Sequence, residues 1–354
     1  MIRVGLVGFG MAGRIFHAPL ISSVEGLELA AVLERNSDRA AERYPGISTY
    51  RSVDELLADT SIKLIVIATP NSTHFPIAMK TLEAAKSVVI DKPVALSSSE
   101  IAQLAELAGG IGLHLFPFHN RRYDSDFLTI RKVMGDHLLG RMVHFESNFD
   151  RWRPGLSSRA WKEEADEGGI LLDIGTHLVD QALVLFGQPS AVGAEVRRER
   201  DGDGSNDSVT IRLQYYTGVS VTLGANCLSS LARPRFHLRG TRGNFWKWGL
   251  DPQEDALGKI SKISDANWGQ EPEERWGTLS IDGDDGIANR QVPSEAGDYR
   301  RFYSGVRDVL LSASSAAPPA TPNEAWRVAR VLEWAKQSSE RHQDIECDWS
   351  SEPV

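Results

Sequence analysis

Asp173 and His177 stand four residues apart, a spacing that on a helix stacks both side chains on one face. An imidazole so placed can take up a proton near neutral pH, while the carboxylate orients it or binds a hydroxyl group. The flexible pair Gly168-Gly169 precedes them, and Asp180 continues the polar stripe. Leu171, Leu178, Ala182 and Leu185 fall on the opposite side. By spacing alone, the same stripe also reads as a solvated helix face. Lys92 is a second candidate, because it leaves an apolar run between Asp91 and Pro93, and the proline restrains the backbone there. A lysine in that place suits contact with a substrate oxygen or a part in a proton relay. Its plainer reading is a solvated strand end.

A third group is the turn Gly8-Phe9-Gly10-Met11-Ala12-Gly13, which follows the apolar run Val4 to Val7 and opens a helix. In that context the first glycine permits a tight turn, the second lets backbone approach a pyrophosphate, and the third lets helix pack on strand. The helix N-terminus then offers free N–H groups to the negative charge. Glu34 closes the next strand about 20 residues on, where a carboxylate accepts the ribose hydroxyls of NAD and repels the extra phosphate of NADP. Arg35 follows it and offers that phosphate a partner instead. NAD is therefore favoured over NADP by Glu34 alone. Two further segments leave strand ends on the same side: Thr69-Pro70-Asn71-Ser72-Thr73-His74 and Asp91-Lys92-Pro93. Ligands of open parallel sheets collect at those ends.

These residues need a frame. Short continuous apolar runs at Val4 to Val7, Leu29 to Leu33, Leu64 to Ala68, Val88 to Ile90 and Leu113 to Phe118 suit strands buried on both faces. Helical stretches such as Phe75 to Ala85 and Glu100 to Ala108 alternate with them, the second behind Ser97-Ser98-Ser99 as possible caps. The alternation predicts a doubly wound α/β domain over 1–118. Beyond it the pattern changes to one strong helix, Leu171 to Phe186, and to period-two strands at Val143 to Phe149, Val209 to Tyr215, Val219 to Leu223 and Phe236 to Arg239. Tyr215 to Val219 reads as a hairpin turn. Residues 119–354 are thus expected to form an α+β domain with a large, mostly antiparallel open sheet. Asp251 to Asn289, charged and glycine-rich, reads as an irregular excursion, and Ser312 to Pro322 separates two closing helices.

The chain has 354 residues, 41% of them hydrophobic and 25% charged, which fits a globular protein of two domains. Its 48 acidic against 39 basic side chains give a formal charge of −9, which disfavours nucleic acid and anionic membrane as partners. Cys227 and Cys347 make neither a disulfide framework nor a metal cluster, and no metal site is expected. With no export signal or membrane-length apolar run visible, the expected location is the cytoplasm.

Together the motifs resemble the Gfo/Idh/MocA oxidoreductases, the family of glucose–fructose oxidoreductase and inositol dehydrogenases. The resemblance rests on the glycine turn, Thr69-Pro70-Asn71 with His74, Asp91-Lys92-Pro93 and Asp173-Ile174-Gly175-Thr176-His177, in that order. Phe118 to Leu128 and Gly249-Leu250-Asp251-Pro252-Gln253 are similar to a subgroup containing scyllo-inositol dehydrogenases. The resemblance implies hydride transfer between a secondary alcohol of an inositol, polyol or sugar-like substrate and a nicotinamide. It makes Lys92, Asp173 and His177 the catalytic set, His177 being the base. It places Asn71 and Asn120 near the nicotinamide ribose and Trp161 at a wall of the site, with Arg121 and Tyr123 as further substrate candidates. Arg122, Arg151, Trp152 and Arg153 are possible lining residues. Asp91 departs from the family, which usually has Glu there. The open sheet is implied to join a homodimer or homotetramer. Some members of the fold sense dinucleotide without turnover, so a non-catalytic sensor or regulator is the alternative.

Overall fold

The computed structural model describes residues 1–155, 168–260, 262–264, 266–283, 286–311 and 316–353. Its first sheet is parallel and is built from β1 (Ile2–Val7), β2 (Leu27–Leu33), β3 (Ser48–Tyr50), β4 (Leu64–Ile67), β5 (Ser87–Ile90) and β6 (Leu115–Pro117), in the order β3-β2-β1-β4-β5-β6. Helices α1 (Ala18–Ser23), α2 (Arg39–Arg43), α3 (Val53–Ala58), α4 (His74–Glu83) and α5 (Ser98–Gly110) connect these strands. With helices over both faces, Leu64, Ile65, Val66 and Ile67 are all fully buried, which is why the strand carries no polar alternation. Strand β3, Ser-Thr-Tyr, is too short and polar for such a signal. Ser97 caps α5: its hydroxyl accepts from Glu100 N–H at 3.2 Å, and the Glu100 carboxylate accepts from Ser97 N–H at 3.3 Å. The strand order reverses between β1 and β4, which opens a crevice at their carboxyl ends.

Helices α6 (Ser125–Gly135) and α7 (Thr176–Phe186) belong to the second layer pair. Its sheet contains β7 (Met142–Asp150), β8 (Ala191–Arg197), β9 (Ser208–Gln214), β10 (Ser220–Asn226), β11 (Phe236–Gly240), β12 (Gly243–Lys247), β13 (Gly277–Gly283), β14 (Gly286–Val292) and β15 (Ile345–Glu346). The order is β14-β13-β12-β11-β7-β10-β9-β8-β15, antiparallel except for β7 against β10. Period-two alternation turns Phe145, Phe236, Leu238 and Phe245 inward, against Leu178, Val179 and Ala182 of α7. The expected turn joins β9 to β10, with Gly218 at φ +79° and its N–H on Tyr215 O at 2.9 Å.

Two expectations change. The stretch Asp251 to Asn289 is not wholly irregular: it holds α8 (Gln253–Leu257) and the β13–β14 hairpin. Most of β14 is exposed, so no apolar alternation marks it. The helix expected from Leu171 begins with a wide turn over Leu171–Gly175 and continues as α7.

Helices α9 (Arg300–Leu311) and α10 (Pro322–Arg341) close the chain. Tyr299, Phe302, Tyr303 and Val306 pack into the core beneath the first sheet. Trp326 joins a second first-domain cluster, with Ile67, Ile90 and Leu104. Val331, Leu332 and Ala335, about one and a half to two and a half turns on, enter the core of the second domain. Among the described residues no helix is long and apolar enough to cross a membrane.

Candidate active site

The glycine turn has the geometry its sequence requires. Gly8 sits at φ +97°, and a Cβ there would lie 2.7 Å from Ala68 O. A Cβ on Gly13 would meet Gly8 O at 2.1 Å, so only glycine lets this helix pack so close. At Gly10 the corresponding space is open for 4 Å around. These features fit a dinucleotide pyrophosphate. Gly13→Ala is expected to lower both Tm and dinucleotide affinity, whereas Gly10→Ala lowers affinity alone. Calorimetry of each variant with and without NADH separates the two.

Glu34, at the end of β2, is 4% exposed. Its carboxylate accepts from Ser37 Oγ at 2.7 Å, Arg39 Nε at 3.1 Å and Ala40 N–H at 2.8 Å. It therefore braces the loop leading into α2, with exposed Arg35 following it. Asn71 and Asn120 are buried just beyond β4 and β6, beside the crevice. His74, expected on the cofactor side, is buried beside the same crevice. Its Nδ1 lies 2.7 Å from Pro93 O and its Nε2 2.9 Å from Thr69 O, so the ring ties two crevice loops together.

Across the seam between domains, Lys92 Nζ donates to Asp173 Oδ1 at 2.7 Å and to Asp173 O at 2.6 Å. Asp91 Oδ1 accepts Lys92 N–H at 2.8 Å and so holds the strand exit. Arg151 reaches the other oxygen, with Nη1 3.7 Å from Asp173 Oδ2, while its guanidinium lies 4.7 Å over the Phe149 ring. His177 is buried on the same helical segment as Asp173. Burial first, then the charges of Lys92 and Arg121, depress its pKa well below the ordinary imidazole value. The imidazole is thus neutral at physiological pH, the state that accepts a proton.

Other expected site residues are committed elsewhere. Asp180 does not extend a cleft-facing stripe: it is buried against Arg122, whose Nη2 donates to Oδ1 at 2.6 Å. Arg122 also donates to Glu324 at 3.1 Å. Arg121 is buried between Asp124 at 3.2 Å and Glu254 at 2.8 Å, so its two terminal nitrogens brace the fold, although its charge still acts on His177. Tyr123 packs against the first-domain core, and its backbone oxygen accepts from Gln253 Nε2 and Asp298 N–H. Trp152 and Arg153 are exposed. Trp161 lies outside the described residues.

Two histidines escaped the sequence reading. His119, at the carboxyl end of β6, is fully buried 3.7 Å from Asp180, and neither ring nitrogen has a hydrogen-bond partner among the described residues. His17 contacts Tyr303 Oη through Nδ1 at 2.7 Å and lies 3.8 Å from Asp91. The only signal for His119 was its strand-end position between Phe118 and Asn120.

Family models match both halves of the chain. Residues 2–119 match an oxidoreductase family with an NAD-binding Rossmann fold, and residues 127–246 match the GFO/IDH/MocA C-terminal domain. The chain belongs to the GFO/IDH/MocA oxidoreductases. It is 36% identical to the oxidoreductase YdgJ of Escherichia coli, covering 98% of both chains. It is 30% identical to the scyllo-inositol 2-dehydrogenase (NADP(+)) IolW of Bacillus subtilis, covering 97% of this chain and 95% of that one. The structure of the oxidoreductase yvaA from Bacillus subtilis superposes with a TM-score of 0.93 at 30% identity, over 98% of this chain and all of the other. As a GFO/IDH/MocA member the protein is a dehydrogenase with a nicotinamide-binding Rossmann domain.

Proposed function

We propose that this enzyme moves hydride between a secondary alcohol of an inositol, polyol or sugar-like substrate and the nicotinamide of NAD or NADP. The observation that carries the reading is the Lys92–Asp173 pair, drawn from different domains at the crevice mouth, with neutral His177 on the same helical segment. The cofactor would be held by Gly8, Gly10, Met11, Ala12 and Gly13 at the pyrophosphate, Glu34 at the adenosine ribose, and Thr69, Pro70, Asn71 and Asn120 further along. When bound, the nicotinamide supplies the two-electron acceptor or donor. The protein's part is acid–base and positional. Lys92 binds the reacting oxygen and stabilises negative charge on it, Asp173 fixes Lys92 and accepts from a substrate hydroxyl, and His177 takes the hydroxyl proton. In the reducing direction His177 returns it. A sensor would have no use for a neutral base beside this lysine.

NADH absorbance across a panel of inositols, polyols and aldoses tests the activity. Dinucleotide binding with no turnover on any of them would overturn it. For the cofactor, we favour NAD on the position of Glu34 at the end of β2, where Ser37, Arg39 and Ala40 N–H already engage its carboxylate. Glu34→Gln is expected to shift the kcat/KM ratio toward NADP, and an unchanged ratio removes Glu34 as the determinant. The uncovered face of the nine-stranded sheet is proposed to join a homodimer or homotetramer, which light scattering reads directly. Two free thiols suit a cytoplasmic location.

A further inference from the structure

The face of the second sheet turned away from α7 carries a convergent group of its own. His144 and Glu146 stand two apart on β7, on either side of fully buried Phe145, so the pleat sends both to the outer face. On the neighbouring strand β11, His237 is the direct partner of Glu146 and lies between buried Phe236 and Leu238. It therefore emerges on the same face. Strand spacing alone brings such a trio together, since opposed antiparallel residues have Cβ atoms about 4.5–5.5 Å apart.

The side chains use this proximity. Glu146 Oε2 lies 3.9 Å from His144 Nε2 and 3.9 Å from His237 Nδ1. One donor atom from each residue falls within 4.8 Å of the other two. These separations are too long for hydrogen bonds, so carboxylate and imidazoles point at a shared space without satisfying one another. The surroundings fix them. Asn148 Nδ2 donates to Glu146 Oε1 at 3.0 Å and also to Pro234 O at 3.0 Å, which leaves Oε2 aimed at the two rings. The His237 ring stacks on Trp246 at 4.0 Å with 27° between planes. A tilted His144 ring completes the cluster, 6.0 Å from that of His237. All three residues are half-buried.

We propose that His144, Glu146 and His237 form a binding site for a divalent transition metal of the zinc class, separate from the catalytic seam. Two imidazole nitrogens and one carboxylate oxygen are the donor set such ions take, with a fourth position left for water or another ligand. Ligand bonds of about 2.0–2.2 Å place tetrahedral donors roughly 3.3–3.5 Å apart, so side-chain rotation of about half an ångström to an ångström closes the site. Asn148 plays the outer part, orienting the carboxylate. The hard cations calcium and magnesium, which take six or more oxygens, do not fit this set. Exposed Arg239, the cross-strand partner of His144, opposes the ion electrostatically and sets a ceiling on affinity. The proposal needs no premise about the reaction, because the donors lie on the opposite face of the sheet from His177.

The experiment is zinc titration of chelator-stripped full-length protein in competition with a chromophoric chelator. The parent protein is expected to take up one zinc ion per chain. His237→Ala and Glu146→Gln should each weaken that binding by about 10–100-fold or more. His342→Ala, at an exposed histidine remote from the trio, should not. Glu146→Gln keeps the side-chain shape, so it distinguishes lost ligation from lost folding, and metal-free Tm values verify it. Unaltered zinc affinity in both variants, or no uptake by the parent, overturns the site. The trio lies on the sheet face proposed above to join copies of the chain, so light scattering accompanies each assay, and at matched oligomeric state the dehydrogenase activity of both variants should equal that of the parent.

Discussion

His177→Ala lowers kcat by about 10²–10⁴-fold while dinucleotide affinity stays near the parent value. The reason is structural: no other neutral imidazole among the described residues lies on the helical segment that delivers Asp173 to Lys92. The variant removes the proton acceptor but leaves the glycine turn and Glu34 untouched. Steady-state kinetics with fluorescence titration of NADH checks both halves, and an unaltered kcat rejects His177 as the base. The pH profile carries the same information. Because the folded pKa is depressed by burial and by Lys92 and Arg121, the acid limb of kcat/KM for alcohol oxidation falls well below the ordinary imidazole value of about 6.5. A stability cost accompanies this. Below about pH 6.5 the unfolded chain protonates this histidine and the folded chain does not, so stability falls as pH drops through that window.

Arg122→Met is expected to cost about 3–5 kcal/mol of unfolding free energy, because it strands Asp180 as a buried, uncompensated charge. Burial pushes the Asp180 carboxyl up, and the Arg122 and His119 interactions more than offset this, so its pKa lies below the ordinary carboxylate value. The stabilisation is therefore present above about pH 3.9 and is lost as pH falls through the lower folded value. Urea unfolding of the single variant and of Arg122→Met/Asp180→Leu checks the argument. The double variant should recover most of the loss, since well-packed apolar groups replace such pairs at little cost. Loss as deep in the double variant would instead assign the role to Arg122 contacts with Glu324 and Pro319 O.

Local chemistry explains which parts of this protein could be read from its sequence. The glycine turn, the strand-end Lys92 and the Asp173–His177 pair each carry their signal within a few residues, and each lands beside the crevice. Buried parallel strands announce themselves by unbroken apolar runs. What stayed hidden depends on partners far along the chain. Asp180 looked like part of a polar stripe until Arg122 arrived from 58 residues away. Arg121 looked available until Glu254, 133 residues distant, took its outer nitrogen. His17 has no local pattern at all, and His119 has only its place just past the end of β6. The β13–β14 hairpin was invisible because most of one strand faces water and needs no hydrophobic period.

Helix α10 has a consequence for how such enzymes can be rebuilt. Its Trp326 plugs the nucleotide-binding lobe and, less than two turns later, Val331 and Leu332 plug the other. The closing segment is a rivet through both lobes, and the tie is reinforced by Glu333, which receives Ser98 N–H at 2.7 Å. A chimera that swaps in a foreign residue 1–118 module alone would leave that rivet in a mismatched hole. Grafts that carry their own α9 and α10 should assemble where simple front-half exchanges precipitate.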